Sequence, residues 1–321
     1  MKIVNVYEPG KVILFGEHFV VHGSKAVAFA IDKFVKVSVT KSDFLSVEIS
    51  FPGDPVIKDK VIRHPPEHVS SNVFLNYIVN LTRKFNIGNV RINVEVGFPV
   101  AAGLGSSASI AAAVTKALYT YKYGIVPSKE VTYEIANQLE VEIHGNPSGI
   151  DLNTILERGI VLYDGLEKRI VNKLDSGDFT FIVSDTIDRR STGKLVKSVS
   201  LIKNEMSDLF NMLVSIADKI SSYGFELLVK NDVEKIGRLM SINHGLLSAI
   251  GVSTTKLDYL AHRAIELGAY GAKLTGAGGG GCLICLCESQ KAKEILQTFN
   301  SLGYPSFIVK PYYGDEKIEY E

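Results

Sequence analysis

Residues 99–114, "PVAAGLGSSASIAAAV", place glycines and serines where one periodicity gives way to another. Ahead of them, "NVRINVEVGF" (89–98) alternates apolar and polar residues as a half-buried strand does. Behind them, Ile110, Val114, Ala117, Leu118 and Tyr121 recur on one helical face. A glycine loop leading into a helix near Ser106 leaves amide groups exposed at the helix N-terminus, with no Cβ in the way. Such a terminus suits a phosphate. The serine hydroxyls admit two readings, as helix caps or as ligands of a phosphate-bound Mg²⁺.

Outward from this stretch, the 321-residue chain exceeds the usual size of a single core, so two domains are expected. A seam at "VNKLDSGDF" (171–179) divides it into 1–175 and 176–321. The first part opens on strand-like segments ("KIVNVYE", "KVILF", "FVKVSVT", "LSVEISF"), then a helix over "SSNVFLNYIVNLTRKF" and another over "PSKEVTYEIANQLEVEI". The second part reads as the strand "FTFIVSD", two long helical stretches from about Gly193 to Ala249, and the helix "TTKLDYLAHRAIELG". The strand "CLICLCE", the helix "SQKAKEILQTFNSLG" and the strand "SFIVKPYY" complete it.

Composition narrows the function. Lysine plus arginine equals aspartate plus glutamate, at 35 each, so net charge offers nothing to nucleic acid or an anionic membrane. No apolar run reaches the roughly 18 residues of a membrane helix. The first residues alternate like a strand and lack the core of a signal peptide. A soluble, cytoplasmic protein is expected. Cys282, Cys285 and Cys287 fall in one strand, with Cys282 on the face opposite the other two; buried, inert thiols are expected.

A second glycine run, "GAGGGG" (276–281), contains the G-x-G-x-x-G spacing of dinucleotide sites. That fingerprint requires a helix to follow, and here the strand-like "CLICLCE" follows. A tight turn, approached closely by another group, is expected instead. Two further clusters carry titratable groups. "EPGKVILFGEHFVVHG" (8–23) sets Lys11, Glu17 and His18 around a strand and a glycine turn. "LEVEIHGNPSGID" (139–151) ends a helix on Glu140 and Glu142, which oppose the helix dipole unless a cation lies near. Its turn then delivers Asp151.

Taken in order, "PGKVILFGEHFVVHG", "PVAAGLGSSAS" and "AKLTGAGGGGC" resemble the three motifs of the GHMP kinases, a family of small-molecule ATP kinases, over nearly the whole chain. The resemblance implies an α+β fold of two domains, the N-terminal one like ribosomal protein S5 domain 2 and the C-terminal one ferredoxin-like, with the site between them. "GEHFVVHG" and "HGNPSGID" are most similar to the mevalonate-phosphorylating members. ATP and mevalonate are the implied ligands, Mg²⁺ the implied cofactor, and a homodimer the implied assembly. Alternatives are another acceptor (phosphomevalonate, homoserine or a sugar) and a non-catalytic sensor of ATP or metabolite.

Residue by residue, the resemblance implies that Ala101, Ala102, Gly103, Leu104, Gly105, Ser106, Ser107, Ala108 and Ser109 cradle the ATP phosphates. Asp151 is the implied catalytic carboxylate with Lys11 beside it, and Ser107 and Glu140 are the implied Mg²⁺ ligands. Glu17, His18, Arg190 and Thr192 are implied to face the substrate. Arg190 would grip a carboxylate through paired hydrogen bonds, with Arg189 as its rival.

Overall fold

A computed structural model describes residues 3–51, 72–188 and 192–320. The strand β1 (Ile3–Phe15) pairs antiparallel with β2 (Lys25–Lys41), a 17-residue strand long enough to serve two neighbours. The C-terminal half of β2 pairs with β4 (Val90–Val96), and its N-terminal half with β5 (Ile160–Asp164). β3 (Ser46–Ser50) adds parallel to β4, and β6 (Arg169–Leu174) adds to β5. The alternating burial of β1 up to Tyr7 is the pattern of a strand with one face in the core. Its register shifts between Pro9 and Lys11, where proline has no N–H for the ladder.

Among the described residues, four helices of residues 72–157 accompany this sheet. α1 (Val73–Lys84) starts where the Asn72 side chain accepts hydrogen bonds from the Phe74 and Leu75 amides. α2 (Ser106–Tyr123) packs on β1 and β2 and carries α3 (Lys129–His144), which the Ser128 side chain caps. α4 (Ile150–Glu157) was not expected from sequence. It is only eight residues long and follows a glycine-rich turn that masks its periodicity.

The chain then enters a second, four-stranded antiparallel sheet in the order β10-β7-β9-β8. These strands are β7 (Thr180–Asp185), β8 (Gly271–Thr275), β9 (Cys282–Cys287) and β10 (Ser306–Val309). The expected pair of long helices is three: α5 (Thr192–Glu205), α6 (Ser207–Val229) and α7 (Val233–Ala249). Met206 leaves helical geometry, and after Asn231 turns left-handed at φ 54° the Asp232 side chain caps a new helix. α8 (Thr255–Glu266) stops ahead of Gly268, as expected, and α9 (Ser289–Ser301) covers β7.

The last strand, β11 (Lys317–Tyr320), returns to the first sheet and pairs with β1. Sheet membership therefore does not follow sequence order across residue 175. The cysteines lie as the alternation required. Cys282 faces the large core shared with the first sheet, and Cys285 and Cys287 face the core beneath α8 and α9. All three are reduced and buried.

Candidate active site

Gly105 precedes α2 in the left-handed conformation (φ 73°), and no side chain caps the helix. The amides of Ser106, Ser107 and Ala108 precede the first intrahelical donor, the Ser109 N–H, so they are donors available to an anion. The Lys11 side chain lies against Gly105, where an added Cβ would come within 2.7 Å of Lys11 Cγ. Backbone and side chain of Lys11 both fasten the loop. Its N–H donates to the Leu104 carbonyl at 3.0 Å and its Nζ to the Gly103 carbonyl at 3.2 Å.

The rest of the 101–109 stretch divides into contact and scaffold. Ala101 is exposed in a left-handed conformation (φ 53°), while Ala102, Leu104 and Ala108 are buried. Ser109 is fully buried. Its hydroxyl lies 2.7 Å from the Pro9 carbonyl and 3.0 Å from that of Gly105, and its amide donates to Gly105. These bonds tie α2 to β1 at Ser109. Ser106 and Ser107 remain partly exposed at the mouth.

Asp151 stands in the first turn of α4, where a carboxylate suits the helix dipole. Its Oδ1 lies 3.0 Å from Lys11 Nζ. The turn that presents it is fixed at Gly149 (φ 84°), where a Cβ would sit 2.8 Å and 2.9 Å from the Tyr133 and Tyr163 hydroxyls. Tyr163 also donates to the Ser148 carbonyl at 2.7 Å.

Glu140, near the end of α3, is buried, and its Oε1 has no hydrogen-bond partner among the described residues. Burial, and then the negative charge of Asp151, push its carboxyl up to about 7 against the pull of Ser107 and Lys11. An orphaned carboxylate oxygen close to a serine hydroxyl is a hard-oxygen donor set that fits a divalent cation. His144, to which the sequence reading gave no role, joins them. Its Nε2 is 3.5 Å from Ser107 Oγ and 3.9 Å from Glu140 Oε2. Its spacing of four residues from Glu140 on a helix was the available signal.

The β8–β9 turn crosses the phosphate loop. A Cβ on Gly103 would lie 2.7 Å from the Thr275 carbonyl, and one on Gly276 would lie 2.6 Å from Gly103 Cα. Glycine is required on both sides of that crossing. Gly276, Gly278, Gly279, Gly280 and Gly281 all have positive φ, so 276–281 is the tight turn expected and not a dinucleotide fingerprint.

Glu17 and His18, which the resemblance turns toward the substrate, both contact the second sheet. Glu17 is 1% exposed and pairs with the fully buried Lys273, while Asn243 donates to its other oxygen at 3.3 Å. His18, left-handed at φ 60°, places Nε2 2.7 Å from the Ala277 carbonyl, and burial lowers its pKa. Both side chains reach the second sheet, one to the base of the β8–β9 hairpin and one to its turn. Arg189 and Arg190 lie outside the described residues, as does the side chain of Thr192 at the start of α5.

A helix N-terminus lined by glycine, facing a lysine–aspartate pair between two α+β units, defines a phosphotransferase site. The comparisons agree. Residues 72–157 match the GHMP kinases N terminal domain, and residues 225–305 match GHMP kinases C terminal. The mevalonate kinase of Pyrococcus furiosus is 33% identical, with 99% of each chain covered. That of Pyrococcus horikoshii is 35% identical over 94% of each. A crystal structure of L. major mevalonate kinase in complex with R-mevalonate superposes with a TM-score of 0.81 at 25% identity, covering 97% of each chain. The chain belongs to the GHMP kinases.

Proposed function

We propose that this chain transfers the γ-phosphoryl group of ATP to the primary hydroxyl of mevalonate, releasing 5-phosphomevalonate and ADP. The observation that carries the chemistry is the Lys11–Asp151 contact at 3.0 Å, with the same ammonium 3.2 Å from the phosphate-loop carbonyl of Gly103. The acceptor is read from the near full-length kinship with archaeal mevalonate kinases.

In this reading the amides of Ser106 to Ala108 receive the phosphates. Asp151 orients the acceptor hydroxyl and takes its proton, and Lys11 neutralises charge on both sides of the transfer. Ser107 and Glu140 would hold Mg²⁺, which supplies neutralisation of the phosphate oxygens. Glu17 and His18 hold the β8–β9 turn over the loop and, with Thr192, are the proposed substrate-facing residues. Arg190 remains the proposed partner of the mevalonate carboxylate. We also propose division into domains at 175/176, a homodimer and a cytoplasmic location; among the described residues no helix is long and apolar enough to cross a membrane.

The test is ADP release with mevalonate, phosphomevalonate, homoserine and galactose as acceptors. Turnover with mevalonate at least a hundredfold above the others is expected. Preference for another acceptor overturns the substrate, and ADP release with none of them overturns the enzyme in favour of a sensor.

A further inference from the structure

β1 carries a second charge on its core face. Val4, Val6 and Glu8 alternate onto the same side, and Glu8 is fully buried. The Lys116 ammonium, 1% exposed in the middle of α2, donates to Glu8 Oε1 at 2.7 Å. Arg158, the residue that ends α4, brings Nη2 to 3.6 Å from the same oxygen. Arg158 has a positive φ (60°) and its side chain is 9% exposed. Glu316, just ahead of β11, contacts Lys116 from the more open side and is 35% exposed.

The three elements meeting at Glu8 are those that deliver the reacting groups. β1 carries Lys11 three residues further on; α2 carries the amide cradle at its N-terminus; α4 carries Asp151 in its first turn. The contacts lie well behind the site: Lys116 is ten residues into α2, and Arg158 is at the opposite end of α4 from Asp151. A buried carboxylate can replace its lost hydration only through ions and donors held close to it. Among the described residues Glu8 Oε2, Arg158 Nε and Arg158 Nη2 have no hydrogen-bond partner, so ion pairing through Oε1 carries the arrangement. Such an anchor fixes distances between elements in a way that apolar contact alone does not.

We infer that Glu8 is a positioning residue for phosphoryl transfer, acting through Lys116 and Arg158 to set α2 and α4 against Lys11. This rests on the phosphotransfer reading. The two fail separately, because wild-type turnover tests that reading and the ratio of variant to wild type tests this one.

Glu8→Gln is nearly isosteric and removes the anchoring charge. Glu316→Gln removes the outer partner of Lys116 and leaves the Glu8 contacts in place. Each is assayed well below its own thermal midpoint, with kcat, both KM values and fluorescent-nucleotide affinity measured alongside the midpoint. Small misplacement of reacting groups costs up to about a hundredfold in rate. The expected result is a kcat about ten- to a hundredfold lower for Glu8→Gln with acceptor KM within threefold of wild type, and a lowered midpoint with kcat within twofold for Glu316→Gln. If Glu8→Gln does not fold, the charge-balanced double variant Glu8→Gln/Lys116→Met takes its place under the same criterion. A kcat within twofold of wild type for the Glu8 variant, or an equal loss in both variants, overturns the inference and leaves Glu8 a stabilising residue only.

Discussion

At the residue scale, two carboxylates lie within reach of Lys11 and are set apart by their surroundings. Asp151, in contact with the ammonium and partly open to solvent, is the one proposed to take a proton. Asp151→Asn keeps the shape and the nucleotide cradle, so kcat should fall by roughly 10² to 10⁴ while ATP affinity persists; an unchanged kcat in steady-state assays would remove Asp151 from the reaction. Glu140 is the buried partner, with its carboxyl raised from 4.5 to about 7. Between those values the folded protein holds a proton that the unfolded chain has released. Metal-free stability should therefore fall as pH rises through that window and level off above about 7, by roughly 2–4 kcal/mol in total. Thermal midpoints across pH 4.5–8 for wild type and Glu140→Gln check this, since the variant should lose that slope. Added Mg²⁺ should stabilise wild type chiefly at the upper end, where the carboxylate is ionised.

At the element scale, the crossing of two glycine turns governs the site. Gly103 and Gly276 approach so closely that neither has room for a methyl group, and both have positive φ. Gly276→Ala combines backbone strain, typically about 1–3 kcal/mol, with displacement of the phosphate loop. Its KM for ATP should rise more than its KM for mevalonate, as initial-rate kinetics with each substrate varied would show. The β9 cysteines illustrate what was legible at this scale. Period-two alternation alone divided Cys282 from Cys285 and Cys287, and the two cores divide them the same way. Burial raises the Cys285 thiol and pushes Cys287 up to about 11, so few thiolates form near neutrality. A thiol reagent should label the folded protein far more slowly than the unfolded chain.

At the scale of the whole molecule, the consecutive residues Glu17 and His18 join the two sheets. Burial raises the pKa of Glu17 and lowers that of Lys273, each opposed by the charge of the other. Glu17→Gln would leave Lys273 buried without its counter-charge, a loss of about 3–5 kcal/mol. Glu17→Gln/Lys273→Met should recover much of that stability in denaturant melts. If the double change cost the sum of the two single changes, Glu17→Gln and Lys273→Met, the pair would not bridge the sheets energetically.

The sequence by itself determined whatever depends on local pattern. The strand–glycine–helix junction at 99–114, the turn at 276–281 and the faces of β9 all follow from periodicity and from the backbone freedom of glycine, which neighbouring residues suffice to specify. The tertiary structure decided which charges meet. Ser109 has the same side chain as Ser107, yet its hydroxyl faces Pro9, 100 residues away in sequence; Glu17 sits in a motif that implied a substrate contact and pairs with Lys273, 256 residues away. Glu8 interrupts the apolar face of β1, a signal visible in the sequence, but its partners come from α2 and α4. Electrostatic pairing acts through space with no characteristic spacing along the chain, so it becomes determinate only once β1, α2, α4 and the second sheet are packed.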